Sequence, residues 1–439
     1  MTIQAARPRL TTARLTLALL TAALALQTLA QAQGTPLKVW TRSVGTQQDA
    51  YKAIGKAYQA KTGQAVEFTF AGTDFEQRFA RAIASGDLPD VVVNDTAQLG
   101  NLLSLGVLLP VDRSKVSGNK DIVAAAWKSA QGVDGKYYGV PSSTQVFELY
   151  IRKDWRTKLR LPLPRTWDDV SKMALAFTTK DPDGNGKNDT YGMVIPGSTT
   201  RGYASWFLST FIWQAGGDFV QPAGNGTFKA TLDTPAVATA VKYVRSFICN
   251  KTAQPNAINA VTSDTAPSFY TGQAGLYLTG PYQIGTFDKE LGKDKYEIVS
   301  FPKGPANSDA LAEGENSYIM KASKQPQNAL AFASFLASPE GQKIGMTYAA
   351  DGIVVRLPIN GKVNAAETRN DPRWSSIQAV YAKNGHTVPN VPNWTPVRLL
   401  TGEGFNRILS RCDSNVEQEL GTINTALKAE LDKQKVLAK

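Results

Sequence analysis

The sequence predicts an α/β fold arranged as two lobes. Short β-prone runs alternate with helical periodicity between residues 37 and 93, the pattern of βαβ units and a parallel sheet. One of those runs, Val91-Val92-Val93, is continuously apolar between turn signals, as in a parallel strand covered on both faces. The same alternation resumes after about residue 145, with no low-complexity linker in between. At 439 residues the chain is long enough for two or three domains.

Leu37-Lys38-Val39-Trp40 opens the fold as a strand. Residues 48–61 place Ala50, Ile54, Ala57 and Tyr58 at helical spacing and stop at Gly63. Val66–Phe70 alternates as a strand, and Phe75, Phe79, Ala82 and Ile83 share one face of a helix. Val146 to Ile151 reads as a strand. Thr166 caps a helix through about Phe177, with Asp168 and Asp169 in the first turn, where acids suit the helix dipole. Helices are predicted at 203–215, 235–249 and 263–271, and strands at 274–279, 296–301 and 316–320. Gln325-Pro326 opens a helix to about Leu336, and Ser338-Pro339-Glu340 caps another. The tail from about Gly404 to Leu437 reads as amphipathic helix.

The first 32 residues stand apart. Arg7, Arg9 and Arg14 precede an apolar stretch from Leu15 to about Leu26, and Ala30-Gln31-Ala32 offers small residues at both cleavage positions. That is the pattern of a cleaved export signal, and the apolar stretch is too short for a bilayer span. The first cysteine is Cys249, far from any lipid-anchor position. The expectation is a periplasmic or secreted protein without stable membrane insertion. Cutting 32 residues from 439 leaves 407, and losing their three arginines takes the net charge from +11 to +8. The remaining Lys and Arg are scattered among acids with no nucleic-acid motif, so nucleic acid is not an expected partner.

Enzyme signatures fail one after another. No Gly-x-Ser-x-Gly elbow is present, and the only histidine, His386, lies in a polar, turn-like context that reads as surface. Gly184–Lys187 is no P-loop, because Asp181 stands where the first glycine belongs. A glycosidase-like carboxylate pair is left open by 37 acidic residues.

Three features carry chemistry. In the segment 181–192, Asp181, Asp183 and Asn185 fall at loop positions 1, 3 and 5, Lys187 offers a carbonyl at 7, and Asp189 falls at 9. That spacing wraps oxygen ligands around Ca²⁺, although Gly192 replaces the bidentate Glu at 12; the alternative is an Asp/Gly/Asn turn. No cofactor is required otherwise. Cys249 and Cys412 are an even pair in an exported chain, where pairing is favoured over two separately buried thiols. Trp40, Trp206, Trp213, Tyr282 and Trp394 fall near strand ends, helix starts or loops, where aromatic faces can meet sugar C–H faces or simply pack in a core.

Several segments, in order, resemble the extracellular solute-binding proteins of sugar ABC importers, the maltose-binding type. They are ASGDLPDVVV (84–93), GKYYGVPSSTQVFELYIRKD (135–154), PRTWDDVSKMA (164–174), GQAGLYLTGPYQIGTF (272–287), NSYIMKASKQPQNALAFASFLASPEGQKI (316–344) and VPNVPNW (388–394). The resemblance implies a two-lobed, type II-like periplasmic binding protein (Venus-flytrap) fold with hinge-crossing segments. One lobe would comprise 33–143 and 308–352, the other 144–307 and 353–439. It implies a monomeric, non-catalytic receptor that closes on a mono- or oligosaccharide and presents it to permease subunits. By position, Tyr282 matches the family's stacking aromatic and Asp95 an acid that binds sugar hydroxyls. Gln145 stands at a crossover position that is acidic in the maltose-binding type, which leaves maltose open. Tyr203 and Trp206 match a wall of the cleft, and Trp394 a loop that closes it. Trp40 is a candidate contact, and Arg42 sits where a polar ligand contact is common. A basic residue there also suits an anionic ligand such as glycerol phosphate. A secreted carbohydrate-active enzyme is the rival from another class.

Overall fold

The computed structural model describes residues 1–2, 35–347 and 353–439. The export signal read at 1–32 lies outside the described residues apart from its first two, as do the last five residues of the 308–352 segment. The chain begins with β1 (Leu37–Thr41), β2 (Val66–Phe70), β3 (Val91–Asp95) and β4 (Gly139–Val146). It continues through β5 (Glu148–Arg152), β6 (Tyr191–Val194), a hairpin of β7 (Val220–Gly224) and β8 (Thr227–Ala230), β9 (Ala274–Thr279) and β10 (Tyr296–Val299). Last come β11 (Ala310–Ile319) and the two-residue β12 (Gly385–His386).

Two main sheets result. The first runs β12-β11-β3-β1-β2, with β4 also paired to β11. Its β1 is parallel to both β2 and β3, as the opening strand–helix alternation requires, whereas β11 is antiparallel to β3 and β4. The second sheet runs β10-β5-β9-β6. The chain passes from one to the other at Phe147, the single residue between β4 and β5. It returns between β10 and β11.

Alternation explains how both faces of each sheet are covered. In the second sheet, Leu149, Ile151, Leu276 and Leu278 face a cluster that includes the helices Tyr203–Gln214 and Trp394–Leu409. Tyr150 and Tyr277 point the other way, against Phe269, Phe287 and Trp374. In the first sheet, Val39, Val91 and Val93 pack with Phe332 of the Pro326–Leu336 helix, while Val92 packs with Phe75 and Phe79 of the Phe75–Ser85 helix. Each such side chain, fully buried, contributes roughly 1.5–3 kcal/mol.

Local signals account for several boundaries. Thr166 and Asp169 form a reciprocal capping box at the start of the Trp167–Thr179 helix. Other boundaries differ from the sequence reading. The strand β4, buried along its whole length, and the β7–β8 hairpin carry no clear period, and β11 starts six residues before 316. The tail is two helices, Trp394–Leu409 and Val416–Lys433, because Asn415 accepts from the Gln418 amide and starts a new one. Cys412 lies in that break and is bonded to Cys249 at the end of the Pro235–Cys249 helix, with Cα atoms 5.7 Å apart. His386 is half-buried rather than a surface residue. Its ring stacks on Trp213 at 4.1 Å, and its Nδ1 lies 2.9 Å from Asp309 Oδ2, because β12 pairs with β11 there.

Candidate functional site

Parallel neighbours in a sheet end at the same edge, and residues just past those ends converge. Thr41 of β1 pairs with Val93 of β3, so Arg42 and Asp95 emerge side by side and the Arg42 guanidinium donates to the Asp95 carboxylate. In the second sheet β6 is parallel to β9. Arg201 and Tyr203 follow β6, Tyr282 follows β9, and all three reach the same space. Between the two edges lies the β4–β11 pair, whose register sets Gln145 directly opposite Glu313. These residues line one cleft, made of two cavities of ≈ 430 Å³ and ≈ 740 Å³ that share Arg42, Asp95, Arg201 and Tyr203 as walls.

The aromatic wall is held by specific contacts. Trp206 stands edge-on to Phe147 at 4.5 Å, next to the crossover, and its indole N–H donates to Glu313 at 2.8 Å. Tyr203 stands edge-on to Trp206 at 5.7 Å, and its hydroxyl lies 3.1 Å from that of Thr262. The Tyr282 hydroxyl lies 3.0 Å from the Thr279 hydroxyl. Its ring needs Gly280: a Cβ there would sit 2.4 Å from the ring and 3.3 Å from Gln145 Oε1.

The charged wall has four guanidiniums. Arg201 forms an ion pair with Glu76 at 3.1 Å and donates to Asp95 at 3.4 Å, so an arginine from the second lobe reaches two acids of the first. Its backbone is left-handed (φ 53°, ψ 16°), a conformation costly for a residue with a Cβ, and Gly202 follows at φ 68°. Arg356 pairs with Glu315 at 2.8 Å. Arg369 fixes that segment by donating to the carbonyls of Val355 and Arg356 at 2.6 and 2.7 Å. Arg398 extends from the Trp394–Leu409 helix toward Trp206, 5.9 Å from its ring. Burial pushes the Asp95 carboxyl up, but Arg42, Arg201, Arg398 and Arg356 outweigh it and hold it below the usual carboxylate range. For Glu313 burial wins: the group is raised despite Arg398 nearby.

The cleft therefore gathers Arg42, Asp95, Gln145, Tyr203, Trp206 and Tyr282. Trp40 is not among them. Strand alternation turns its ring to the helix-covered face, edge-on to Phe79 at 6.4 Å. Trp394 is corrected in part. It borders the ≈ 740 Å³ cavity but is only 5% exposed, and its ring packs edge-on against Phe219 at 5.2 Å. The loop before it does approach the first lobe, where Gly100 leaves no room for a Cβ against the Pro392 carbonyl. Sequence reasoning missed Arg201, Glu313, Glu315, Arg356 and Arg398. Glu313 and Glu315 had a signal, two acids at i and i+2 beside Gly314, which share a strand face.

The 181–192 loop lies away from this cleft. Asp181 accepts from the amides of Gly184, Asn185 and Gly186, and the Asn185 amide donates to Asp183 and Asp189. The Gly192 amide donates to the Thr252 carbonyl. Among the described residues no group of three or more His, Cys, Asp or Glu is disposed to hold a metal ion, so calcium at Lys187 and its neighbours rests on spacing alone.

A family model for bacterial extracellular solute-binding proteins matches residues 44–343. The chain belongs to that family. It is 32% identical to lipoprotein LipO of Bacillus subtilis over 147 residues, 32% of this chain and 29% of that one. It is 28% identical to the polygalacturonan/rhamnogalacturonan-binding protein YtcQ of the same species over 303 residues, 63% of this chain and 58% of that one. The chain thus spans less than two thirds of the length of each of these relatives. Maltose-bound MalE3 of T. maritima superposes with a TM-score of 0.78 at 21% identity, over 90% of this chain and all of that one. At that identity the likeness establishes the two-lobed fold that this family member shares. Among the described residues no helix is long and apolar enough to cross a membrane.

Proposed function

We propose that this chain is the substrate-binding receptor of a carbohydrate ABC importer. It takes a mono- or oligosaccharide between its lobes, closes, and delivers it to permease subunits after export to the periplasm or cell exterior. The observation that carries the reading is the cleft itself. Tyr203, Trp206 and Tyr282 offer apolar faces beside Gln145, Asp95 and Glu313, the mixture a polyhydroxylated ring needs. Family membership and the kinship with a polysaccharide-binding relative support it. The receptor works as a monomer and without catalysis: binding and release need no nucleophile, and His386 is engaged away from the cleft with Asp309 and Trp213.

Calorimetry and tryptophan fluorescence across a sugar panel test the reading, with chromatography of the recovered sugar. One class should bind and be recovered intact. Cleavage of the bound sugar would replace the receptor with a carbohydrate-active enzyme. A second reading, a receptor for glycerol phosphate or another anionic solute, is favoured by one observation, the four guanidiniums in the cleft.

A further inference from the structure

Nine buried side-chain polar atoms among the described residues lack a hydrogen-bond partner, and four of them belong to residues that line the ≈ 430 Å³ cavity. They are the Nε donors of Arg42, Arg356 and Arg398 and the Oε1 acceptor of Gln145. A buried donor or acceptor left unmade is costly, so a concentration of them in the residues around one cavity marks that wall as the least satisfied part of the interior. Three of the four sit on cations, so the wall as a whole favours a ligand rich in acceptor oxygens.

The four arginines differ in how far the protein already satisfies them. Arg42 holds Asp95, Arg201 holds Asp95 and Glu76, and Arg356 holds Glu315. The Arg398 side chain makes no hydrogen bond or ion pair among the described residues, and it sits beside the ring of Trp206. Glu313, the acid nearest in charge, is already engaged by the Trp206 indole. A half-buried guanidinium with free donors beside an aromatic face is the geometry that receives a planar anion bidentately while the sugar ring lies on the aromatic.

We propose that the ligand is an acidic sugar, whose anionic group is received by Arg398 while its ring packs against Trp206. This rests on the carbohydrate-receptor reading and adds the charge. The shared chemistry is an oxyanion on a sugar, either the carboxylate of a uronic acid or a phosphate ester.

The test is calorimetry of the full mature chain with five probes: galacturonate, glucuronate, galactose, glucose 6-phosphate and sn-glycerol 3-phosphate, with di- and trisaccharide forms of the uronates added. The expected result is that an acidic sugar binds and its neutral counterpart binds at least about 30-fold more weakly. Added salt should weaken the acid's binding. Arg398→Gln should erase the preference, and Arg398→Lys should restore part of it, both judged only where circular dichroism matches wild type. Carboxylate and phosphate probes separate the two sources. If a neutral sugar binds as well as its acid and Arg398→Gln leaves that unchanged, the charge inference falls and the sugar-receptor reading stands. If glycerol phosphate binds and no sugar does, or if the whole panel is silent, both fall.

Discussion

Arg201 reaches Asp95 from the opposite lobe, with its Nη2 3.4 Å from the carboxylate, and touches Glu76 with the same nitrogen. The lobes are therefore held together by charge as well as by the contact of Gly100 with the Pro392 carbonyl. A conformation is favoured only by what contacts it better than its alternative, and these ion pairs exist only when the lobes meet. The left-handed backbone at Arg201 is the local cost of aiming the side chain there.

Removing that guanidinium should favour the open form. Arg201→Ala is expected to raise the radius of gyration of the ligand-free protein in small-angle scattering. Ligand affinity should fall by up to about fivefold, the scale of one partly exposed charge pair. An unchanged scattering profile would show that the Arg201 pairs do not hold the lobes.

Gly280 is needed for space rather than for backbone freedom. Gly280→Ala would drive a methyl to within 2.4 Å of the Tyr282 ring and toward Gln145. The ring must move, at roughly 1–3 kcal/mol for an overpacked site. Ligand affinity should drop by up to that amount, and the melting temperature should fall by a few degrees. A titration matching wild type would mean Tyr282 does not face the ligand.

Trp206 joins packing to polarity. Trp206→Phe keeps an aromatic face but leaves the buried Glu313 carboxyl without its indole donor. Losing a hydrogen bond to such a group costs roughly 1.5–3 kcal/mol. Most of the ligand-induced fluorescence change should disappear with it. If the full fluorescence response survives, the reporter tryptophan is elsewhere.

Glu148, the first residue past the crossover, is buried and one of its oxygens has no partner. Burial pushes its carboxyl up to about 8. Its folded-state pKa is raised, so its contribution is fully present below the unfolded value, about 4.3, and is lost as pH rises toward 8. The melting temperature should fall across that window and level off above it, a change on the order of a few kcal/mol in stability. Glu148→Gln should flatten the slope; an unaltered slope would assign it to other groups.

The bond between Cys249 and Cys412 closes a loop of 163 residues. Replacing both with serine should lower stability by roughly 2–4 kcal/mol, read from denaturant midpoints. The ligand panel should be unaffected, because neither residue lines the cleft. A change in ligand preference would tie the tail to the site.

Much of the scaffold was legible because its signals are local. The capping box at Thr166, the stop at Gly63 and the apolar run Val91–Val93 each lie within a few residues of what they control. The strand β4 escaped because burial along its whole length erases the period-2 pattern. The tail reads as one helix because the amphipathic period runs on across Ser410–Asn415, where capping outweighs it. Arg42, Asp95, Tyr203, Trp206 and Tyr282 could be picked because each follows a readable strand or starts a readable helix. Trp40 follows the same rule and reads as a cleft residue, but one step of strand alternation turns it away.

Residue types and spacing thus specified an α/β, two-lobed chain with a small set of aromatic and polar side chains near its strand ends. They did not specify which charges meet. Arg42, Asp95, Arg201, Glu313, Arg356 and Arg398 are spread over more than 350 residues and share a cavity only because two sheets present their strand ends to each other. That convergence depends on strand order and register, which are set by the burial of whole faces and not by any short motif. The unmatched guanidinium of Arg398 exists only as a relation among distant residues.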